Sequence, residues 1–389
     1  MQICDIMDCT GCFACRNICP RNAISVTEDN YGNSVPLIDE KKCISCNACS
    51  RVCPVIHNQP LRKAKEAYAV WSKNTEDIQY SSSGGVASVF SKRILQEKGI
   101  VVGVACQEQE VRHICIKEEA QIKKLRGSKY VQSNVSLTYR DTKKNLIEGK
   151  KVIFFGTPCQ ISGLKSFLGK EYDDLITVDL ICHGTPPIKY LKEHINNKLK
   201  NKSWSHVTFR GEYDYVLTVY NQNKIVYQRE AKRDEYFKAF LDSMTFRNCC
   251  YTCKYACVDR VADITIGDFW GINRESLSNS YSGKISLVLP NTEKGKKYFE
   301  QCLSEFVWEI RPLSEALNPQ QGNLLHPSIP HSERESFLCD YRKKGFEKSV
   351  KHTIIGREVW NANVKYMVKK LWCVKILVKI KRIVKNRGI

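Results

Sequence analysis

No window of this sequence approaches the ~18 uninterrupted apolar residues that a membrane-crossing helix requires. Its start, MQICDIMDCTGC, lacks the basic residues and apolar stretch of an export signal. Without export, disulfides are not expected, and clustered cysteines read as metal ligands or reactive thiols. These absences set the expectation of a cytoplasmic protein with a thiol content suited to an anaerobic host. Acid is missing locally: residues 365 to 387 hold nine Lys or Arg and no Asp or Glu. That tail supplies nearly half of the formal net charge of +20, and the remainder is spread thinly. No DNA- or RNA-binding motif organises it, so nucleic acid is not an expected partner. The C-x3-C-x2-C spacing of radical chemistry on S-adenosylmethionine is also missing.

What the chain does have is twenty cysteines in 389 residues, with 42% hydrophobic and 26% charged content, enough for ordinary globular cores. CTGCFACRNICP begins at Cys9 and CISCNACSRVCP at Cys43, one spacing used twice. C-x2-C-x2-C-x3-C-P is the bacterial dicluster pattern, in which three thiols grip one cubane and the fourth ligates the other. Cys9, Cys12, Cys15 and Cys53 are therefore expected to hold one [4Fe–4S] cluster, and Cys43, Cys46, Cys49 and Cys19 the second. Structural zinc draws on two separated pairs of ligands, not on two evenly spaced quartets. Cys4 is left over and reads as a plain thiol.

After a polar connector, HNQPLRKAKE, the pattern becomes β–α–β. AYAVWS (67–72) reads as a strand, SSSGG (81–85) as a loop, VASVFSKRILQEKG (86–99) as a helix and IVVGVAC (100–106) as the returning strand. KVIFF runs into GTPCQ (151–160) and LITVDLI into CHGTPP (175–187), and ADITIGDFWGI (262–272) gives a last strand and turn. Residues 206–228 read as antiparallel hairpins. The expected fold class is α+β or α/β: a ferredoxin-like 2[4Fe–4S] domain (1–58), a mixed α/β flavin-binding catalytic domain in two parts (67–145 and 146–315), and a basic helical extension (316–389). The segment 364–387 admits two readings. One is a helix packed on the domain with a solvated basic face; the other is a surface helix in peripheral contact with anionic lipid or an acidic partner.

Several residues carry candidate chemistry in this second region. SSSGG opening a helix suits an anion, and RGSKY (126–130) adds Arg126 and Lys129. Cys159 and Cys182 each follow a run of apolar β residues, which puts them at the carboxyl ends of strands, where open α/β sheets bind ligands. Cys250 and Cys253 form a C-x2-C pair. Together these four thiols meet the requirement of a third cubane; equally, they read as buried inert thiols with zinc or nothing at the pair. His183 reads as a hydrogen-bonding loop residue, since no carboxylate orienter is evident, and Asp268 as a turn-stabilising residue. No catalytic residue is singled out.

IQYSSSGGVASVF, LRGSKYVQS, GTPCQISGL, ICHGTPP and CYTCKY…ADITIGDFWG make residues 67 to about 310 resemble the beta subunit of coenzyme F420-reducing hydrogenases and dehydrogenases. The resemblance implies FAD bound around Ser82, Ser83, Gly84 and Gly85 and around Arg126, Gly127, Lys129 and Tyr130. It also implies a [4Fe–4S] cluster on Cys159, Cys182, Cys250 and Cys253, with Cys249 a near-equivalent choice for Cys250. Ser83 stands where the simplest family members carry an acid. The implied activity is electron transfer between a hydride donor or acceptor, such as a deazaflavin, and a ferredoxin or another redox protein or subunit. The alternatives are a ferredoxin-fed, flavin-dependent reductase of an organic substrate, and a non-catalytic electron-transfer adaptor.

Overall fold

A computed structural model describes residues 2–211 and 215–386, with side chains described as far as Leu371. Eight strands form the central sheet: β1 (Ala67–Ser72), β2 (Ile100–Gln107), β3 (Glu110–Ile116), β4 (Val152–Gly156), β5 (Leu175–Leu180), β6 (Ile264–Asp268), β7 (Ser286–Pro290) and β8 (Phe306–Arg311). Their spatial order is β8-β1-β7-β6-β5-β4-β2-β3. The inner four, β6, β5, β4 and β2, are mutually parallel. The outer strands pair antiparallel. The fold is thus mixed α/β, with a ferredoxin-like module at its amino terminus.

Alternation along the strands explains why both faces are covered. On one face, Val70, Val101, Ile153, Val178, Ile266 and Val288 share a core with the helices Val86–Gln96 and Glu293–Glu300, through Phe90 and Phe299. On the other, Val102 and Phe154 pack with the helices Thr138–Ile147 and Pro158–Leu168. That same core takes in Cys12, Ala14 and Val52, so the cysteine-rich module is packed into the sheet domain. The connector also pairs: Arg62–Lys63 forms a short antiparallel ladder with Asp259–Arg260.

The hairpins expected over 206–228 are a three-stranded antiparallel sheet, His206–Arg210, Tyr215–Asn221 and Lys224–Glu230. They share a core with Phe337, Tyr341, Phe346, Val350, Ile355 and Val359, so the first part of the segment after residue 316 is embedded in the fold. The expected tail helix is present as Ile354–Asn386. Side chains of the tail residues 372–387 lie outside the described residues. Among the described residues no helix is long and apolar enough to cross a membrane.

Candidate functional site

The two cysteine repeats fold alike. Each places two residues in left-handed backbone, Gly11 and Phe13 in the first and Ser45 and Asn47 in the second, followed by a short helix, Ala14–Ile18 or Ala48–Arg51. A non-glycine at positive φ is uncommon, and here it curls each loop around its thiols. One small cavity is lined by Cys9, Cys12, Cys15 and Cys53, and a second by Cys19, Cys43, Cys46 and Cys49. The crossed quartets expected from the spacing are therefore the sets that come together. Cys4 joins the first set: it lines that cavity and is in hydrogen-bonding reach of the Cys9 and Cys53 thiols. The first site is inward, with Cys12, Cys15 and Cys53 buried; the second faces out, with Cys46 exposed.

The parallel strands end at a large cavity of about 310 Å³, within the ~300–1,000 Å³ of small-molecule sites. Ser81–Ser83, Gly85, Val86 and Ala87 form one part of its wall, and Arg126–Tyr130 another. Ser82 ties the two together, its hydroxyl accepting from the Ser128 amide at 2.7 Å. Helix Val86–Gln96 starts at this wall, where its first amides lack intrahelical acceptors. Gly84, an expected cradle residue, sits behind the wall. Its amide donates to Ser286 Oγ at 2.9 Å, and a Cβ there would lie 2.4 Å from the Val70 carbonyl oxygen. Ser83 is likewise committed, donating to the Ile285 carbonyl at 3.1 Å.

The two cations of the second wall differ. Arg126 is paired with Glu76 at 2.9 Å and Asp77 at 3.3 Å. Its Nε is nonetheless buried without a partner. Among the described residues Lys129 has no acidic partner in reach of a hydrogen bond; its ammonium donates to the carbonyls of Leu125 at 2.8 Å and Arg126 at 2.9 Å. Burial lowers its pKa to about 8. An ammonium held only by neutral carbonyls on a cavity wall is a counter-charge for an anionic ligand. Opposite, Asp268 pairs with Arg210 at 2.6 Å, rather than only closing a turn, and Arg210 lies 3.9 Å from the centroid of the Tyr215 ring. Tyr130 completes this group, accepting from Arg210 Nε at 2.7 Å. Burial lowers the pKa of His183, and the Asp268 carboxylate opposes that.

A group of thiols lies beside the same strand ends. Cys159 opens helix Pro158–Leu168, its sulfur 3.2 Å from Thr157 Oγ1. Burial pushes the Cys159 thiol up, and the neighbouring Cys253, Cys182 and Cys249 add to that. Cys182 is pushed to about 12 by burial and then by Cys253. Cys249, in the turn Asn248–Cys250, is raised first by its hydrogen bond to Cys250 and then by burial. Cys250 packs against the core that contains Phe246. The mutual influences thus group Cys159, Cys182, Cys253 and Cys249, with Cys250 hydrogen-bonded to Cys249 at the edge of the group. Thiols kept protonated by burial and by one another are a donor set that a cationic iron cluster would stabilise as thiolates. For an iron cluster the residues fit, as Lys129 and the helix start fit an anionic cofactor.

Arg247, immediately before this turn and without a spacing signal in the sequence, joins all three parts. Its fully sunk guanidinium donates to the Cys9 carbonyl at 2.8 and 3.3 Å, to Ser34 O at 3.0 Å and to Gln132 Oε1 at 2.7 Å. Gln132, a cavity residue, donates on to Thr10 O at 3.2 Å. The Cys249 sulfur lies 3.5 Å from that same Cys9 carbonyl oxygen. The inward cysteine site therefore abuts both the cavity and the Cys159 group.

A dicluster iron–sulfur module docked on a mixed sheet with a carboxyl-end cavity defines a class of electron-transferring oxidoreductase subunit. The chain matches the family models "Coenzyme F420 hydrogenase/dehydrogenase, beta subunit" at both ends, the N-terminal model over residues 67–138 and the C-terminal model over 149–316. It belongs to that family. Two 4Fe–4S dicluster models match residues 8–56 and 35–93. A solved structure of the F420-reducing [NiFe] hydrogenase complex from Methanosarcina barkeri contains a similar chain, with 18% identity, a TM-score of 0.43, and coverage of 75% of this chain and 91% of that one. No curated protein matches.

Proposed function

We propose that the chain is an iron–sulfur flavoprotein that exchanges electrons between a hydride-carrying substrate, of deazaflavin type by family, and a ferredoxin or partner subunit. FAD, when bound, would supply the exchange between hydride pairs and single electrons. The observation that carries this reading is the cavity: an anion-seeking wall of Lys129 and the Val86 helix start, with four grouped thiols at the same strand ends. Gly127 holds its part of that wall at φ 78°, a conformation that glycine adopts without strain. Tyr130 and Phe240, stacked at 4.8 Å between centroids, give the cavity an apolar wall.

Cys159, Cys182, Cys253 and Cys249 would hold the third cluster, with Cys249 in place of Cys250. The thiol sets then follow an order from the cavity outward: the Cys159 set, the buried Cys9 set and the exposed Cys19 set. Arg247 fixes the spacing of the first two, and the exposed Cys46 marks where a redox partner would dock. This order suits one-electron traffic between a buried substrate site and the protein surface.

The test is iron and flavin per chain after anaerobic reconstitution. About twelve irons and one FAD are expected, falling to about eight irons in Cys249→Ala and staying near twelve in Cys250→Ala. About eight irons and no flavin in the unaltered protein would overturn the reading and leave an electron-transfer adaptor. Equal iron loss in both variants would remove the Cys249 assignment alone.

A further inference from the structure

The carboxy-terminal helix begins inside the fold and leaves it. Ile355 and Val359 are buried, Asn363 donates to the Arg233 carbonyl at 3.0 Å, and the Arg233 guanidinium lies 3.6 Å from the centroid of the Tyr366 ring. Past Asn363 every residue from Val364 to Leu371, the last whose side chain is described, is exposed. Trp360, Val364, Met367, Val368 and Leu371 are between 40% and 67% exposed. At about 100° per residue they form one stripe about 100° wide, on the side away from Val359 and Asn363. Lys365 and Lys370 flank this stripe on its two sides, and Lys369 lies opposite it. From Val359 to the end of the chain there is no acid, while residues 365 to 387 carry nine Lys or Arg.

We infer that this helix docks the protein on an anionic lipid surface, its apolar stripe in the interfacial zone and its lysines among the headgroups. A Trp-containing apolar stripe with a polar face whose charges are all basic is the pattern of an interfacial helix. With no helix able to span a membrane among the described residues, the attachment is peripheral. A second copy is a poor occupant, because a self-complementary contact would set nine cations against nine. The helix shares no residue with the cavity or the thiol sets.

The experiment is vesicle co-sedimentation of the full chain, with phosphatidylcholine alone and with phosphatidylglycerol as about one lipid in three. Binding to the anionic vesicles only, weakened by salt, is expected. A lysine near an anionic surface is worth roughly fivefold in partitioning, so Lys365→Gln, Lys369→Gln and Lys370→Gln together should weaken binding roughly a hundredfold. Met367→Ser with Leu371→Ser should weaken it independently while iron content stays unchanged, since both residues are exposed. No binding to anionic vesicles, equal binding to neutral ones, or wild-type binding by both variants would overturn the inference. Self-association without vesicle binding, abolished by the Met367 and Leu371 changes, would overturn it in favour of a second copy.

Discussion

Gly163 lies within the helix Pro158–Leu168 that carries Cys159, and a Cβ there would come 2.9 Å from both Cβ and Sγ of Cys12 and 3.2 Å from the Tyr139 hydroxyl. At an ordinary helix position Gly→Ala gains ~1 kcal/mol, because alanine has the better helix propensity. Here the added methyl meets a side chain that cannot swing aside, since the Cβ contact involves the start of the side chain and Sγ is committed to the first thiol set. Overpacking of this kind costs ~1–3 kcal/mol, so Gly163→Ala is expected to be net destabilising by about 0–2 kcal/mol. The loop of Cys9–Cys15 has to retreat from the helix. The assay is thermal unfolding under argon together with iron content and the low-temperature EPR of the reduced protein. The expected result is a modest loss of stability and an altered signal from the inward cluster, with the outward one unchanged. A gain of ~1 kcal/mol with wild-type iron and EPR would refute the close approach of the two cysteine-bearing segments.

The cysteine repeat was fully legible because both the ligand spacing and the backbone that curls around it are local: Gly11 and Phe13 recur as Ser45 and Asn47 at equivalent positions. Strands β1, β2, β4, β5 and β6 were legible for a similar reason, as apolar runs ending at turns or cysteines. Strands β3, β7 and β8 were not anticipated. Glu110–Ile116 and Phe306–Arg311 are the edge strands, their apolar runs broken by charged residues, and their identity is decided by pairing with β2 and β1. The site shows the same division. Cys159 and Cys182 follow directly from strand ends, whereas Cys249 and Cys250 are neighbours in a single turn and no spacing in the sequence separates their roles. Gly84 looked like a phosphate cradle by type, yet its role is to clear the Val70 carbonyl of a neighbouring strand. Arg247, Gln132 and the Arg210–Asp268 pair act over sequence separations that no local pattern encodes.

Two further predictions concern titration. His194 is fully buried between Asp234 at 2.8 Å and Glu347 at 2.5 Å, joining the helices Ile188–Leu199, Glu235–Leu241 and Phe346–Lys351 at the base of the tail. Burial opposes its protonation, but the two carboxylates prevail and raise it from 6.5 to about 9. The raised value means the stabilisation, ~3 kcal/mol for the full shift, is complete below pH 6.5 and lost as pH rises through 9. Thermal midpoints across that window should fall in the parent protein and stay flatter in His194→Gln; parallel slopes would sink the assignment. Lys129 works in the other sense. Its pKa of about 8, lowered by burial, means that the apo protein carries the charge below pH 8 and sheds it above. An anionic ligand favours the charged form, so binding takes up a proton above that pH, and FAD affinity should decline as pH rises past 8. A buried charge-assisted hydrogen bond is worth ~1.5–3 kcal/mol, so Lys129→Met should weaken FAD binding on the order of tenfold to a hundredfold and abolish the pH dependence. Fluorescence titration of FAD reads both effects, and a variant with unchanged affinity and an unchanged pH profile would show that the ammonium faces no part of the ligand.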